Sequence, residues 1–174
     1  MLAAITIGIN PIAFSIAGRG VRWYGIFIAI AIMVLIGLTA YRARRAGVPD
    51  DVVYKAAVWA IPGGFIISRL LHVIDQIDFY ALHPGQIIGF EGLTIYGAIV
   101  GATLAVVIYA LVTREARVGQ LLHFAAPGVI LSQAIGRLGC IINGCCYGST
   151  TNLPFAFVYI DPNSYAPLGI ATHP

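Results

Sequence analysis

Arg137 stands between two glycines in Gly136-Arg137-Leu138-Gly139, and a charged group in that setting suits phosphate chemistry. Guanidinium stays protonated under any reachable condition and presents a planar fork of donors that matches phosphate oxygens. The flanking glycines let backbones approach closely and permit unusual dihedrals. An arginine at the end of an apolar segment also snorkels to an interface with no ligand at all, and that plainer role competes with binding. Just beyond, Asn143-Gly144 reads as a turn. Its amide could hold a lipid glycerol or satisfy loop backbone, with equal weight on each. Cys140, Cys145 and Cys146 flank that turn without the spacing of a zinc knuckle, and the nearest histidine, His123, is on the far side of the segment. Small packing residues rank first for them, a local disulfide second, and metal or redox work third. A bond between the adjacent pair would be strained. Arg69 and His72, three apart, share a helix face. Histidine in general suits proton transfer near neutral pH, so His72 could act as a base, but a polar stripe facing a bundle interior and paired with Asp75 or Asp78 is favoured.

These groups are scarce because the chain is built for lipid. Of 174 residues, 59% are hydrophobic and 10% charged, against roughly 25% charged in soluble domains. A water-soluble chain of this size could not hide that much apolar surface. The net charge of +3 carries no nucleic-acid signature, since the basic residues sit between apolar runs and form no basic face. Three neighbouring cysteines are too few for a disulfide framework. The first eighteen residues lack a basic start and are broken by Asn10-Pro11, so they read as a short interfacial segment rather than a signal peptide.

The expected fold is all-α: a polytopic transmembrane helix bundle of about four spans, one membrane domain over residues 1–174, with an external loop after the last span. The spans are Tyr24 to Tyr41, Val52 to Ile74, Gly92 to Thr113 and Leu121 to Ile142. Pro62-Gly63-Gly64 predicts a kink in the second, and Gly97-x3-Gly101 predicts a packing face on the third. Arg42, Arg44, Arg45 and Lys55 follow the first span, and Arg114 and Arg117 follow the third. The connection between the second and third spans carries Asp75, Asp78 and Glu91 instead. Positive charge favours the cytoplasm, which puts the amino terminus outside, with Arg19 and Arg22 as counterweight. In that topology Tyr24, Arg69, His72, Tyr96 and Arg137 all reach the outer leaflet. Polar groups at membrane depth are costly and tend to mark a site.

Trp23-Tyr24-Gly25, Thr94-Ile95-Tyr96-Gly97-Ala98, Ala126-Pro127 and the stretch Gly136-Arg137-Leu138-Gly139-Cys140-Ile141-Ile142-Asn143-Gly144-Cys145-Cys146-Tyr147-Gly148 resemble the prolipoprotein diacylglyceryl transferase family. Order and spacing agree over most of the chain. The resemblance implies a transferase of the bacterial cytoplasmic (inner) membrane that moves diacylglycerol from phosphatidylglycerol to the cysteine thiol of lipoprotein precursors, releasing glycerol 1-phosphate. Its partners would be phosphatidylglycerol, prolipoprotein signal peptides and membrane lipid, with no cofactor, metal or nucleic acid. The resemblance makes Tyr96 and Arg137 the catalytic candidates, with Tyr24, Arg69, Arg137, Asn143 and Gly148 binding substrate.

Three departures mark a cysteine-bearing variant. Where better-known members carry a histidine followed by two glycines, this chain has Tyr96-Gly97-Ala98. A phenol of ordinary pKa, about 10, is a poor base unless a nearby cation lowers it. Cys140 and Cys145 replace the asparagine and glutamate of the central motif, and His123 occupies the region of an acidic residue before Ala126-Pro127. The family continues its His-Pro pair through Gln-Leu-Tyr-Glu and further spans with another arginine, so a chain ending at His173-Pro174 is expected to be truncated. Two other classes compete with the transferase. One is a membrane protein that binds anionic lipid, or serves another thiol, without this reaction. The other is a small transporter, for which polar groups would have to continue toward the cytoplasmic side.

Overall fold

A computed structural model describes residues 4–16, 18–89 and 92–173. Glu91 and Pro174, which entered the reading of charge and of the chain's end, lie outside them. Among the described residues four helices are long and apolar enough to cross a membrane. They are α1 (Trp23–Arg45) and α2 (Asp50–Asp75), then, after the short α3 (Ile77–Leu82), α4 (Ile95–Thr113) and α5 (Val118–Asn143). Each contains or closely matches a span read from the sequence. The chain is a multi-pass membrane protein. Hydrocarbon offers backbone amides no partners, so the spans must satisfy their own hydrogen bonds. Side chains such as Met33 (64% exposed) and Ile130 (74%) point away from protein, as lipid-facing residues do.

The chain forms two compact units, one from Ile36 to Ala126, the other from the residues up to Leu35 with those from Pro127 onward. In the Ile36–Ala126 unit, α2 and α4 meet through glycines. A Cβ on Gly101 would lie 2.3 Å from the Gly63 carbonyl oxygen, and one on Gly97 would lie 2.5 Å from Ser68 Cα. The helices touch backbone to backbone, the packing expected of Gly97-x3-Gly101. The helix runs through Pro62, and the two glycines after it serve this seam: a Cβ on Gly64 would meet the Ala98 carbonyl at 3.1 Å. Ser68 Oγ donates to the Thr94 carbonyl at 2.7 Å and Thr94 Oγ1 donates to the Ser68 carbonyl at 3.2 Å, fixing the start of α4 against α2. At the other end of this unit Ala43, Val53, Tyr109 and Phe124 belong to one buried cluster. There Arg44 pairs with Asp50, while Lys55 bridges Asp51 at 2.7 Å and Glu115 at 3.5 Å.

The other unit contains strands that the sequence reading did not place. β1 (Ile5–Ile7) lies parallel to β5 (Phe157–Tyr159), which continues through β6 (Ala171–His173) to β4 (Ser149–Thr150). β2 (Ile12–Ile16) and β3 (Arg19–Arg22) form a separate hairpin that leads into α1. The amino-terminal segment and the loop after α5 are thus one folded layer with a small core of Ile7, Tyr159 and Ala166. Burial pushes the Tyr159 phenol above its ordinary value, and the three neighbouring thiols add to the shift.

Candidate functional site

The residues singled out in the sequence divide between the two units. Tyr24, Arg137, Asn143 and Gly148 belong to the unit with the sheet; Arg69 and Tyr96 belong to the Ile36–Ala126 unit.

In the first of these, α1 and α5 pack through the glycines beside Arg137. A Cβ on Gly139 would lie 2.9 Å from Phe27 Cβ and 3.4 Å from Tyr24 Cα. Gly136 and Gly139 are both helical and buried, so of the two uses foreseen for them only close approach is realised. Arg137, one position on from Gly136, is turned about 100° around the helix from it and is exposed. Among the described residues no hydrogen bond or salt bridge engages its guanidinium; Tyr24 lies within electrostatic reach of it and of the three cysteine sulfurs. That leaves a full donor fork six residues before the helix ends, about 9 Å inside its last residue.

Asn143 is differently placed. It is 4% exposed; its Oδ1 accepts from Arg22 Nη1 at 2.9 Å and its carbonyl accepts from the Tyr165 amide at 3.2 Å. Arg22 also donates to the Asn163 carbonyl at 3.2 Å and lies over the Tyr165 ring, 4.3 Å from its centroid. The amide therefore ties the end of α5 to the segment before α1 and to the 161–166 turn. Sequence reasoning counted Arg22 only as a charge and missed this role. Its place directly before Trp23-Tyr24-Gly25 was the available signal. Arg22→Ala is expected to leave the Asn143 oxygen buried and unpaired, costing about 1–3 kcal/mol. Thermal unfolding in detergent, with proteolysis at the 161–166 turn, measures this; an unchanged melt and cleavage pattern would dismiss the tie.

Gly144 follows with φ +70°, and a Cβ there would meet Ser164 Oγ at 2.2 Å and the Ala166 amide nitrogen at 3.1 Å. Only glycine fits both the backbone conformation and the space. The turn it makes returns Cys145 and Cys146 toward Cys140, whose carbonyl accepts from the Gly144 amide at 2.9 Å. The three sulfurs lie within 4.8 Å of one another. Gly148, exposed and also left-handed at φ +74°, turns the chain into β4.

In the Ile36–Ala126 unit Arg69 donates to the carbonyls of Ile87 at 2.9 Å, Gly92 at 3.0 Å and Gln86, and lies over the Tyr80 ring. The sequence reading expected Asp75 or Asp78 as its partner. These bonds tie it to backbone carbonyls that follow α3. His72 meets Tyr80 edge-on, with ring centroids 6.0 Å apart. Tyr96, the second residue of α4, is 78% exposed.

The model of the prolipoprotein diacylglyceryl transferase family matches residues 11–174. The chain belongs to the prolipoprotein diacylglyceryl transferase family. Among relatives, it is 46% identical over 169 residues to the phosphatidylglycerol–prolipoprotein diacylglyceryl transferase of Dehalococcoides mccartyi, covering 97% of this chain and 65% of that protein. It is 38% identical to the enzyme of the same name from Trichormus variabilis over 84% of this chain and 52% of that protein. With the enzyme of that name from Clostridium tetani identity is 32%, over 95% of this chain and 66% of that protein. The chain thus spans about two thirds or less of each relative's length. Within the transferase family match fall both the α5 segment around Arg137 and the start of α4 at Tyr96.

Proposed function

We propose that the protein transfers the diacylglyceryl group of phosphatidylglycerol to the cysteine thiol of lipoprotein precursors at the outer face of a bacterial cytoplasmic membrane. Membership of the transferase family supports the reaction class. The observation that carries the site is the exposed Arg137 guanidinium, held on a packed helix pair with no hydrogen bond or salt bridge among the described residues.

The reaction needs two things from the protein. The thiol must lose its proton, since the thiolate is the nucleophile. The phosphate ester must also leave with its negative charge stabilised. Sulfur attacks the glycerol carbon that bears the ester, the carbon–sulfur bond forms, the carbon–oxygen bond breaks, and glycerol 1-phosphate departs with the electron pair. Arg137 would bind the phosphate and stabilise it as it leaves. Tyr24, at the start of α1, and Gly148, beyond the turn, would bound the head-group region. Asn143 would act by holding the turn through Arg22. Arg69 would shape its own loop rather than grip lipid, given the carbonyls it already engages. Tyr96 would stand near the reacting thiol.

The topology that goes with this reading places the amino terminus outside. Arg42, Arg44, Arg45, Arg114 and Arg117 then face the cytoplasm. Tyr24 and Tyr96 open their helices, while Arg69 and Arg137 each lie six residues before the end of theirs. In this threading each of the four lies toward the outer-leaflet end of its own helix. Labelling of Cys145 or Cys146 from the cytosolic side alone would reverse it.

The decisive experiment replaces the resident transferase gene of a bacterium with this protein's gene and examines precursor cysteines by mass spectrometry. Addition of diacylglycerol is expected. Unmodified precursors, with the protein well expressed in the membrane, would favour lipid binding without transfer. Tyr96→Phe tests the base. If the phenol takes the thiol proton, transfer should fall by about a hundredfold or more. An unchanged rate across pH would give Tyr96 a packing role.

A further inference from the structure

Cys140, Cys145 and Cys146 have no part in the reaction as drawn above, yet the fold brings all three together. Cys140 is on the last turn of α5, half-buried; Cys145 and Cys146 follow the left-handed Gly144 and are exposed. Their sulfurs lie mutually within 4.8 Å. A disulfide would use two of them and leave the third idle, and a bond between the adjacent pair would be strained. A metal ion uses all three. Zinc–sulfur bonds of about 2.3 Å in tetrahedral geometry separate thiolates by roughly 3.8 Å, a spacing close to that at which the three sulfurs already stand. The turn that presents them is tied through Asn143 to Arg22 and to the Tyr165 amide, and at Gly144 it leaves no room for a side chain beside Ser164 and Ala166.

We propose that Cys140, Cys145 and Cys146 bind one zinc ion through three thiolates and leave its fourth position open to an exogenous thiol. Three protein ligands with one open place is the pattern of zinc sites that act on a substrate, whereas purely structural sites are closed. A thiol entering that place gives its proton to solvent and is held as a thiolate. Its identity as the acceptor cysteine rests on the proposed transferase reading. In that case the zinc-bound sulfur attacks the glycerol carbon, the carbon–oxygen bond breaks, and glycerol phosphate takes the electron pair. The resulting thioether, a weaker ligand, leaves the metal. Such a site would supply the thiolate without a side-chain base.

The test uses the protein purified in detergent under reducing conditions and exposed to Zn²⁺, then to Co²⁺ as a spectroscopic probe. About one zinc per chain is expected. The cobalt form should show sulfur-to-metal charge transfer and tetrahedral visible bands. Adding N-acetylcysteine methyl ester should shift the visible bands. Cys145→Ser and Cys146→Ser, both at exposed positions, should each nearly abolish zinc binding while the helical circular dichroism persists. Absence of zinc in the folded wild-type protein would overturn the site. So would an intact mass showing that Cys140 is bonded to Cys145 or Cys146 in cells. Cobalt bands that ignore the added thiol would overturn the open position. A thiol-responsive metal site in a protein that performs no transfer would leave the site standing and remove the transferase reading. Transfer unaffected by full removal of the metal would sever the site from that reaction.

Discussion

Arg137→Ala is expected to reduce diacylglyceryl transfer by about a hundred- to a thousandfold, the usual loss when a preorganised charge-stabilising group is removed. The prediction follows from two features of α5. Its buried glycines, Gly136 and Gly139, face α1, so the seam between these helices does not involve the arginine. The exposed guanidinium is not committed to a hydrogen bond or salt bridge among the described residues, in contrast to Arg22, Arg44 and Arg69. Membrane insertion and thermal stability should therefore stay near wild type while transfer falls. Arg137→Lys keeps the charge and loses the planar fork, so it should recover little if phosphate is held by two parallel bonds. Transfer assays with phosphatidylglycerol and a lipoprotein precursor, run beside thermal melts, separate these outcomes. Activity retained in Arg137→Ala would take the residue out of the site. An activity loss matched by lost stability would make its role structural.

The second large effect concerns assembly. Gly101→Ala places a Cβ 2.3 Å from the Gly63 carbonyl oxygen and 2.7 Å from Ile67 Cβ. The first of these is backbone and cannot rotate aside, so α2 and α4 must move apart. Overpacking of that kind costs roughly 1–3 kcal/mol, and here it also loosens the seam held by Ser68 and Thr94. Tyr96 opens α4 within that seam's reach, so transfer should fall with stability. Gly37→Ala is the control. Nothing lies within 4 Å of its added methyl, and it should be neutral or slightly stabilising, because alanine is the better helix former. Thermal unfolding of both variants in the same detergent measures the contrast. Equal melting temperatures would mean that the α2–α4 contact is looser than its backbone distances indicate.

The spans were legible in the sequence because lipid imposes a simple rule. About twenty apolar residues without charge must be helical, since nothing else in hydrocarbon satisfies the backbone. The Gly97-x3-Gly101 face was legible for a related reason: small residues at helical spacing are what let backbones touch. The stretch from Gly136 to Gly148 also announced its own importance, and with it the family. Which partner each polar group would find was not legible. Arg69 looked suited to a neighbouring aspartate, and nothing local foretold its bonds to the carbonyls of Gln86, Ile87 and Gly92. Arg22 looked like a loose charge and instead holds Asn143, far along the chain. The strands escaped notice because each is only two to five residues long and most pair with segments distant in sequence. Hydrophobic period is a local signal, while hydrogen-bond partners are chosen by whatever the folded chain brings within about 3 Å. The three cysteines show the division most clearly: their types and order could be read directly, but only the left-handed turn at Gly144 set their sulfurs side by side.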